Sequence, residues 1–234
     1  MPKKALFVLC LLVCFSRVTF ASDVNNLLAE GKGAYKRGEN QKAVYYFSKA
    51  ILLDNERGEI FLHSAKAWVE LGDYQQAIND LDECIRLDPT GIEGYCMRSY
   101  ILQMQGDHQK AIFDINILLN SYPNNAPLYY VRAFIFEQAG DFDKAIADYT
   151  QALKLNKSVP GKRKKDDLLN FADLSDMPFF DKKGAALYFC RAMAQSKKGN
   201  FIQAKKDFKK AAQLNNNFID DLPEGIVDAE AESA

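Results

Sequence analysis

The stretch Gly140-Asp141-Phe142-Asp143-Lys144-Ala145-Ile146-Ala147-Asp148-Tyr149 sets the reading of the whole chain. The small Ala145 is followed four positions later by the large Tyr149 and seven later by Ala152, which is one face of an α-helix. The glycine just ahead ends a preceding helix or makes a tight turn between two helices. Moving upstream, the pair of glycine and acidic residue recurs as Gly38-Glu39, Gly72-Asp73 and Gly106-Asp107, each glycine 34 residues from the next. Each is followed by an alanine (Ala43, Ala77, Ala111), a large apolar residue (Phe47, Leu81, Ile115) and then Ala50, Cys84 or Leu118. Downstream the pattern returns once more as Gly199-Asn200, Ala204, Phe208 and Ala211. This copy lies 59 residues after Gly140, so 25 residues are inserted before it. A fixed period of this length is the mark of stacked supersecondary units.

A second helical pattern precedes each glycine, anchored by Leu27, Phe61, Tyr95, Tyr129 and Tyr188. Asp88-Pro89 and Tyr122-Pro123 close two of the units, because the residue before proline is driven out of the helical region. Each unit is therefore read as two antiparallel helices, over 24–57, 58–91, 92–125, 126–159 and 185–218, with an insertion at 160–184. The arrangement resembles the tetratricopeptide repeat family from Val24 to Phe218, apart from the insertion. The family's small residue eight positions into the unit is present as Gly31, Ala65, Ser99, Ala133 and Ala192. The resemblance implies an all-α superhelical solenoid of about five helix hairpins. The first unit lacks a large aromatic anchor near its start. In the last unit Lys205 and Ala212 replace apolar residues and Lys206, Lys209 and Lys210 crowd the same helix, which is the polar face expected of a capping repeat.

The remaining composition narrows the function. The chain has 234 residues, 48% apolar and 26% charged, an ordinary globular mix. Residues 1–21 begin with Lys3 and Lys4, run apolar from Ala5 to Phe15, and end Thr19-Phe20-Ala21. That is the layout of a secretory signal peptide cleaved after Ala21, and the apolar run is too short to span a membrane. Cleavage removes three cations and takes the formal charge from −1 to −4. The stretch 219–234, with six acids and no base, is expected to be a solvated, disordered tail. The balanced body argues against a nucleic-acid partner. The run Lys162-Arg163-Lys164-Lys165 beside Asp166 and Asp167 reads as a solvated turn.

No catalytic constellation is present. The only histidines are His63 and His108, and there is no phosphate-binding glycine loop, nucleophile elbow or Cys-x-x-Cys pair. No catalytic residue, metal, cofactor or small-molecule substrate is expected. Asp73, Asp107 and Asp141 are read as helix caps, His108 as a packing residue. Of the cysteines left after cleavage, Cys84, Cys96 and Cys190 are read as small apolar groups, and no disulfide joins them.

The resemblance implies that the first helices of the units line a concave side. Its groove positions run from Asn25, Leu28, Lys32, Tyr35 and Lys36 through Glu59, Leu62, His63, Lys66 and Glu70. They continue with Cys96, Gln103 and Glu137, and with the apolar set Met97, Tyr100, Met104, Tyr130, Val131, Phe134, Phe189 and Met193. That set is the candidate site, suited to an apolar peptide or the apolar face of a helix. The clamp by which some family members hold acidic chaperone tails is disfavoured, since its places hold Leu28, Lys32, His63, Glu93 and Met97. The insertion is itself apolar, with Leu168, Phe171, Phe179 and Phe180, so the groove is read either as open or as covered by it. The reading is thus an exported, non-catalytic adaptor, periplasmic or secreted, meeting the membrane only during export. Self-association into a homo-oligomer and a secreted host-interacting factor are the alternatives. Sequencing the mature protein is expected to find Ser22 at its N-terminus. Retention of Met1 on a membrane-bound product would show an anchor instead.

Overall fold

The computed structural model describes residues 22–157 and 184–215. The leader, the tail and all of the insertion except Gly184 lie outside the described residues. The described chain is all-α, with ten helices: α1 (22–36), α2 (Asn40–Leu53), α3 (Gly58–Glu70), α4 (Tyr74–Leu87), α5 (Ile92–Met104), α6 (His108–Ser121), α7 (Ala126–Gln138), α8 (Phe142–Lys157), α9 (Ala185–Lys197) and α10 (Phe201–Leu214). None of the described helices is long and apolar enough to cross a membrane.

The period-34 glycines make the turns. Gly140 stands at φ 78°, in the left-handed region that a side chain disfavours. Its N–H donates to Glu137 O at 3.1 Å and the Asp141 N–H reaches back to Phe136 O at 2.9 Å, which satisfies the last carbonyls of α7. The same pattern of bonds recurs at Gly38, Gly72, Gly106 and Gly199. The next residue then starts the following helix. Asp73, Asp107 and Asp141 each accept a backbone N–H three residues on, at 3.2, 3.3 and 3.3 Å, so the caps form as read. Glu39 makes no side-chain cap bond and pairs with Arg37 instead, and Asn200 makes none either.

The chain divides into two compact units, one ending at Ile101 and one beginning at Leu102. In the first, Val24, Leu28, Phe47 and Ala50 pack with Ile60 and Ala67 of α3. A second cluster joins Ala65, Ala77, Leu81 and Ile101, and Trp68 packs against both. In the second unit, Tyr130, Tyr149, Leu153, Leu187 and Tyr188 form one cluster and Ala192, Ala204 and Phe208 another, with Phe189 packed against both. The large residue in the middle of each second helix is the centre of its hairpin: Phe47, Leu81, Ile115, Tyr149 and Phe208 are at most 1% exposed.

Close approach of the paired helices depends on the small residue facing that large one. At Gly31 the requirement is absolute, because a Cβ there would sit 2.4 Å from the Phe47 ring. Gly33, two residues on, would meet only the flexible tip of Arg37 at 3.3 Å. Gly31→Ala is therefore expected to lower stability by about 1–2 kcal/mol, the overpacking cost exceeding the ordinary helical gain. Gly33→Ala should raise it by up to ~1 kcal/mol. Urea unfolding of both variants checks the contrast.

Candidate functional site

The first helices of the hairpins, α1, α3, α5, α7 and α9, carry the candidate residues. In the unit ending at Ile101, the inner positions are charged and largely satisfied by one another. Lys32 of α1 pairs with Glu59 of α3, and Arg57 donates to Asn25 at 2.8 Å. His63 stacks on Phe47 with ring centroids 5.9 Å apart, and its Nε2 lies 3.8 Å from Glu59. Lys32 is the largest of the causes that hold the Glu59 carboxyl below the ordinary range, ahead of the opposing effect of burial. Met97 packs against the Ala65–Leu81 cluster, and Tyr100 is 39% exposed.

In the unit beginning at Leu102, Met104 is 48% exposed on the last turn of α5. Val131, Phe134, Phe189 and Met193 of α7 and α9 are each half-buried. Val131 and Phe189 rest on the Tyr130–Tyr149 cluster, while Phe189 and Met193 rest on the cluster around Phe208. Phe189 meets the Phe208 ring edge-on at 5.4 Å, which fixes its place. Tyr130 differs from the sequence reading: it is 4% exposed and forms part of the floor. Leu28 and Cys96 occupy the same place in their own repeats and are equally buried, at 5% and 3%. The fifth position of a repeat is thus covered in these three.

Beneath the half-buried residues lies a polar knot. The Tyr149 hydroxyl donates to Glu137 Oε2 at 3.0 Å, and Lys197 Nζ of α9 donates to Glu137 Oε1 at 2.8 Å. Tyr130 and Tyr149 both hydrogen-bond the Cys190 thiol. Burial, helped by the Glu137 charge, pushes that thiol up to about 12. Burial likewise raises Cys84 to about 11. Neither is an activated nucleophile, and Cys84, Cys96 and Cys190 form no disulfide. Among the described residues no group of three or more His, Cys, Asp or Glu side chains is placed to hold a metal ion.

The sequence reading missed a repeated ion-pair device. Arg132 of α7 grips Asp148 of α8 with two bonds, at 2.7 and 2.9 Å, and donates a third at 2.6 Å to Asn116 of the preceding hairpin. Arg191 of α9 does the same with Asp207, at 2.7 Å twice, and with Thr150 of the preceding hairpin at 3.0 Å. Arg98 reaches back to Asp82 at 2.5 Å. Each guanidinium also lies over the tyrosine three residues before it, Tyr95, Tyr129 or Tyr188, at 5.5–5.7 Å. The signal was available: Arg98, Arg132 and Arg191, and Asp80, Asp114, Asp148 and Asp207, recur in the register of the glycines.

Comparison with known proteins agrees with this architecture. Models of the tetratricopeptide repeat match residues 59–90, 126–158 and 185–218. The chain carries tetratricopeptide repeats. Its fold is similar to a solved MamA protein at 22% identity and TM-score 0.63, over 82% of this chain and 92% of that one. It is also similar to MamA from Desulfovibrio magneticus RS-1, at 16% identity and TM-score 0.66, over 83% and 96%. PilF of Pseudomonas aeruginosa aligns at 13% identity and TM-score 0.61, over 83% and 78%. No curated protein matches the chain.

The Arg132–Asp148 pair is mostly shielded from water, with side chains 21% and 10% exposed. Arg132→Met should cost about 3 kcal/mol, since it strands a buried carboxylate. Adding Asp148→Leu should recover most of that loss. A double-mutant cycle in urea measures both.

Proposed function

We propose that this protein is a non-catalytic interaction scaffold that receives an apolar segment of a protein partner on the inner face of α7 and α9. The observation that carries the reading is the set Val131, Phe134, Phe189 and Met193. These four large apolar side chains are half-exposed on two successive first helices, above a floor already closed by Tyr130, Tyr149 and Leu187. Val131, Phe189 and Met193 rest on closed clusters with their outer parts left in solvent. Apolar surface of this kind is held at a cost unless a ligand covers it, and aromatic and methionine side chains supply adaptable, energetic contacts. The tetratricopeptide repeats and the MamA-like fold support a scaffold role. The leader-like residues 1–21 support export, to a periplasm or beyond the cell, as part of the same proposal.

Phe134 separates the open surface from a covered one. A panel of amphipathic helical and extended apolar peptides is screened against the full mature chain and against Phe134→Ala. For an open surface, the variant keeps its melting temperature and loses about 30-fold in affinity, equivalent to ~2 kcal/mol. For a surface already covered by the chain itself, the same change opens a cavity and lowers stability by about 3 kcal/mol. Unchanged affinity in a stable variant would move the site to the charged inner face of α1 and α3. Light scattering on the same samples distinguishes peptide binding from self-association.

A further inference from the structure

The arginine device has a missing rung. The repeat register that places Arg98, Arg132 and Arg191 on successive first helices places Ser64 on α3. The register that places Asp148 and Asp207 opposite those arginines places Asp80 on α4. Asp80 therefore sits where two sister carboxylates are each gripped by a guanidinium, and it meets only a serine hydroxyl. Ser64 is 1% exposed and donates to the Asp80 carboxyl. The second carboxyl oxygen, Oδ2, is shut off from solvent and has no hydrogen-bond partner. In the first hairpin the corresponding pair is Glu30 and Tyr46, so no cation is supplied from that register position either.

Asp80 as a whole is half-buried, but a carboxylate oxygen shut off from water and left without a cation is costly, which favours the neutral acid. Of the cations on the neighbouring helices, the buried Lys66 of α3 is not among the groups that shift Asp80, and several others are engaged elsewhere. Lys32 and Arg57 are committed to Glu59 and Asn25, Arg98 of α5 reaches Asp82, two residues along α4 from Asp80, and Arg86 pairs with Glu83. The Ser64 hydroxyl is the hydrogen-bond partner that opposes the effect of burial on Asp80. We propose that Asp80 is a proton-sensitive rung: the α3–α4 hairpin closes best around the protonated carboxyl and loosens when the proton leaves. Burial raises the Asp80 carboxyl above the ordinary aspartate range, in agreement with the geometry. A carboxyl with a raised folded-state value binds its proton more tightly in the folded chain. Its stabilising effect is full below the unfolded value of about 3.9 and is lost as pH rises through the folded one.

The test follows the aspartate side-chain carboxyl carbons by NMR through a pH titration of the full mature chain. The Asp80 signal is identified by its absence in Asp80→Asn. The expected midpoint lies above ~3.9, and Ser64→Arg, which rebuilds the rung, should lower it. In parallel, the melting temperature of Asp80→Asn minus that of the wild type should grow between pH 4 and pH 7, because the variant has no proton to lose. A midpoint at or below the ordinary value would overturn the proposal. So would a melting-temperature difference that does not change with pH, even if Ser64→Arg failed to fold.

Discussion

The structure depends on how closely the two helices of a hairpin approach. Each second helix drives one large side chain into the gap, and each first helix answers with a residue no larger than serine. Phe47 against Gly31 is the tightest case. Packing this dense leaves no slack for a single methyl group, so the repeat tolerates little variation at these two positions and a great deal elsewhere. The glycine turn follows from the same constraint. Only a left-handed residue returns the chain sharply enough to keep the two partners in register.

Stacking of the hairpins is held differently. Between hairpins the apolar contacts are shared by residues such as Trp68 and Phe189, each of which serves two clusters. Orientation comes from the arginines, which tie their own hairpin to the one before it. A planar guanidinium with bidentate geometry fixes an angle as well as a distance, which an apolar contact does not. At Ser64 that fixing element is absent, and the first two hairpins are joined by their shared apolar core, with the Lys32–Glu59 pair and the Phe47–His63 stack beside it. Exposed pairs of this kind contribute little and weaken with salt.

The hairpins were legible in the sequence because their determinants are local: Gly140, Ala145 and Tyr149 lie within one stretch and repeat. Asp73, Asp107 and Asp141 were legible as caps for the same reason. Glu39 looked equivalent to them, but its longer side chain turns to Arg37. The candidate site was only partly legible. Tyr130 and Val131 are adjacent on one helix face, and whether either is floor or wall depends on a neighbouring helix more than 50 residues away in sequence. The Arg–Asp pairs were passed over because charged residues on a helix ordinarily mean solvent. Nothing within one hairpin shows that the preceding hairpin supplies the third acceptor.

Gly184 has a consequence for how this chain can change. It caps α9 at φ 76°, and a Cβ there would meet Asn156 Nδ2 at 3.0 Å and Leu153 Cδ2 at 3.5 Å, both on the last turns of α8. Gly184 is therefore held against the last turns of α8, and α9 packs on α8 as α3 packs on α2. The entropic cost of a longer connection grows slowly, by about 0.6 kcal/mol for each doubling. Because α8 and α9 are already set against each other by their own contacts, a connection between them can lengthen without the two hairpins having to be rebuilt.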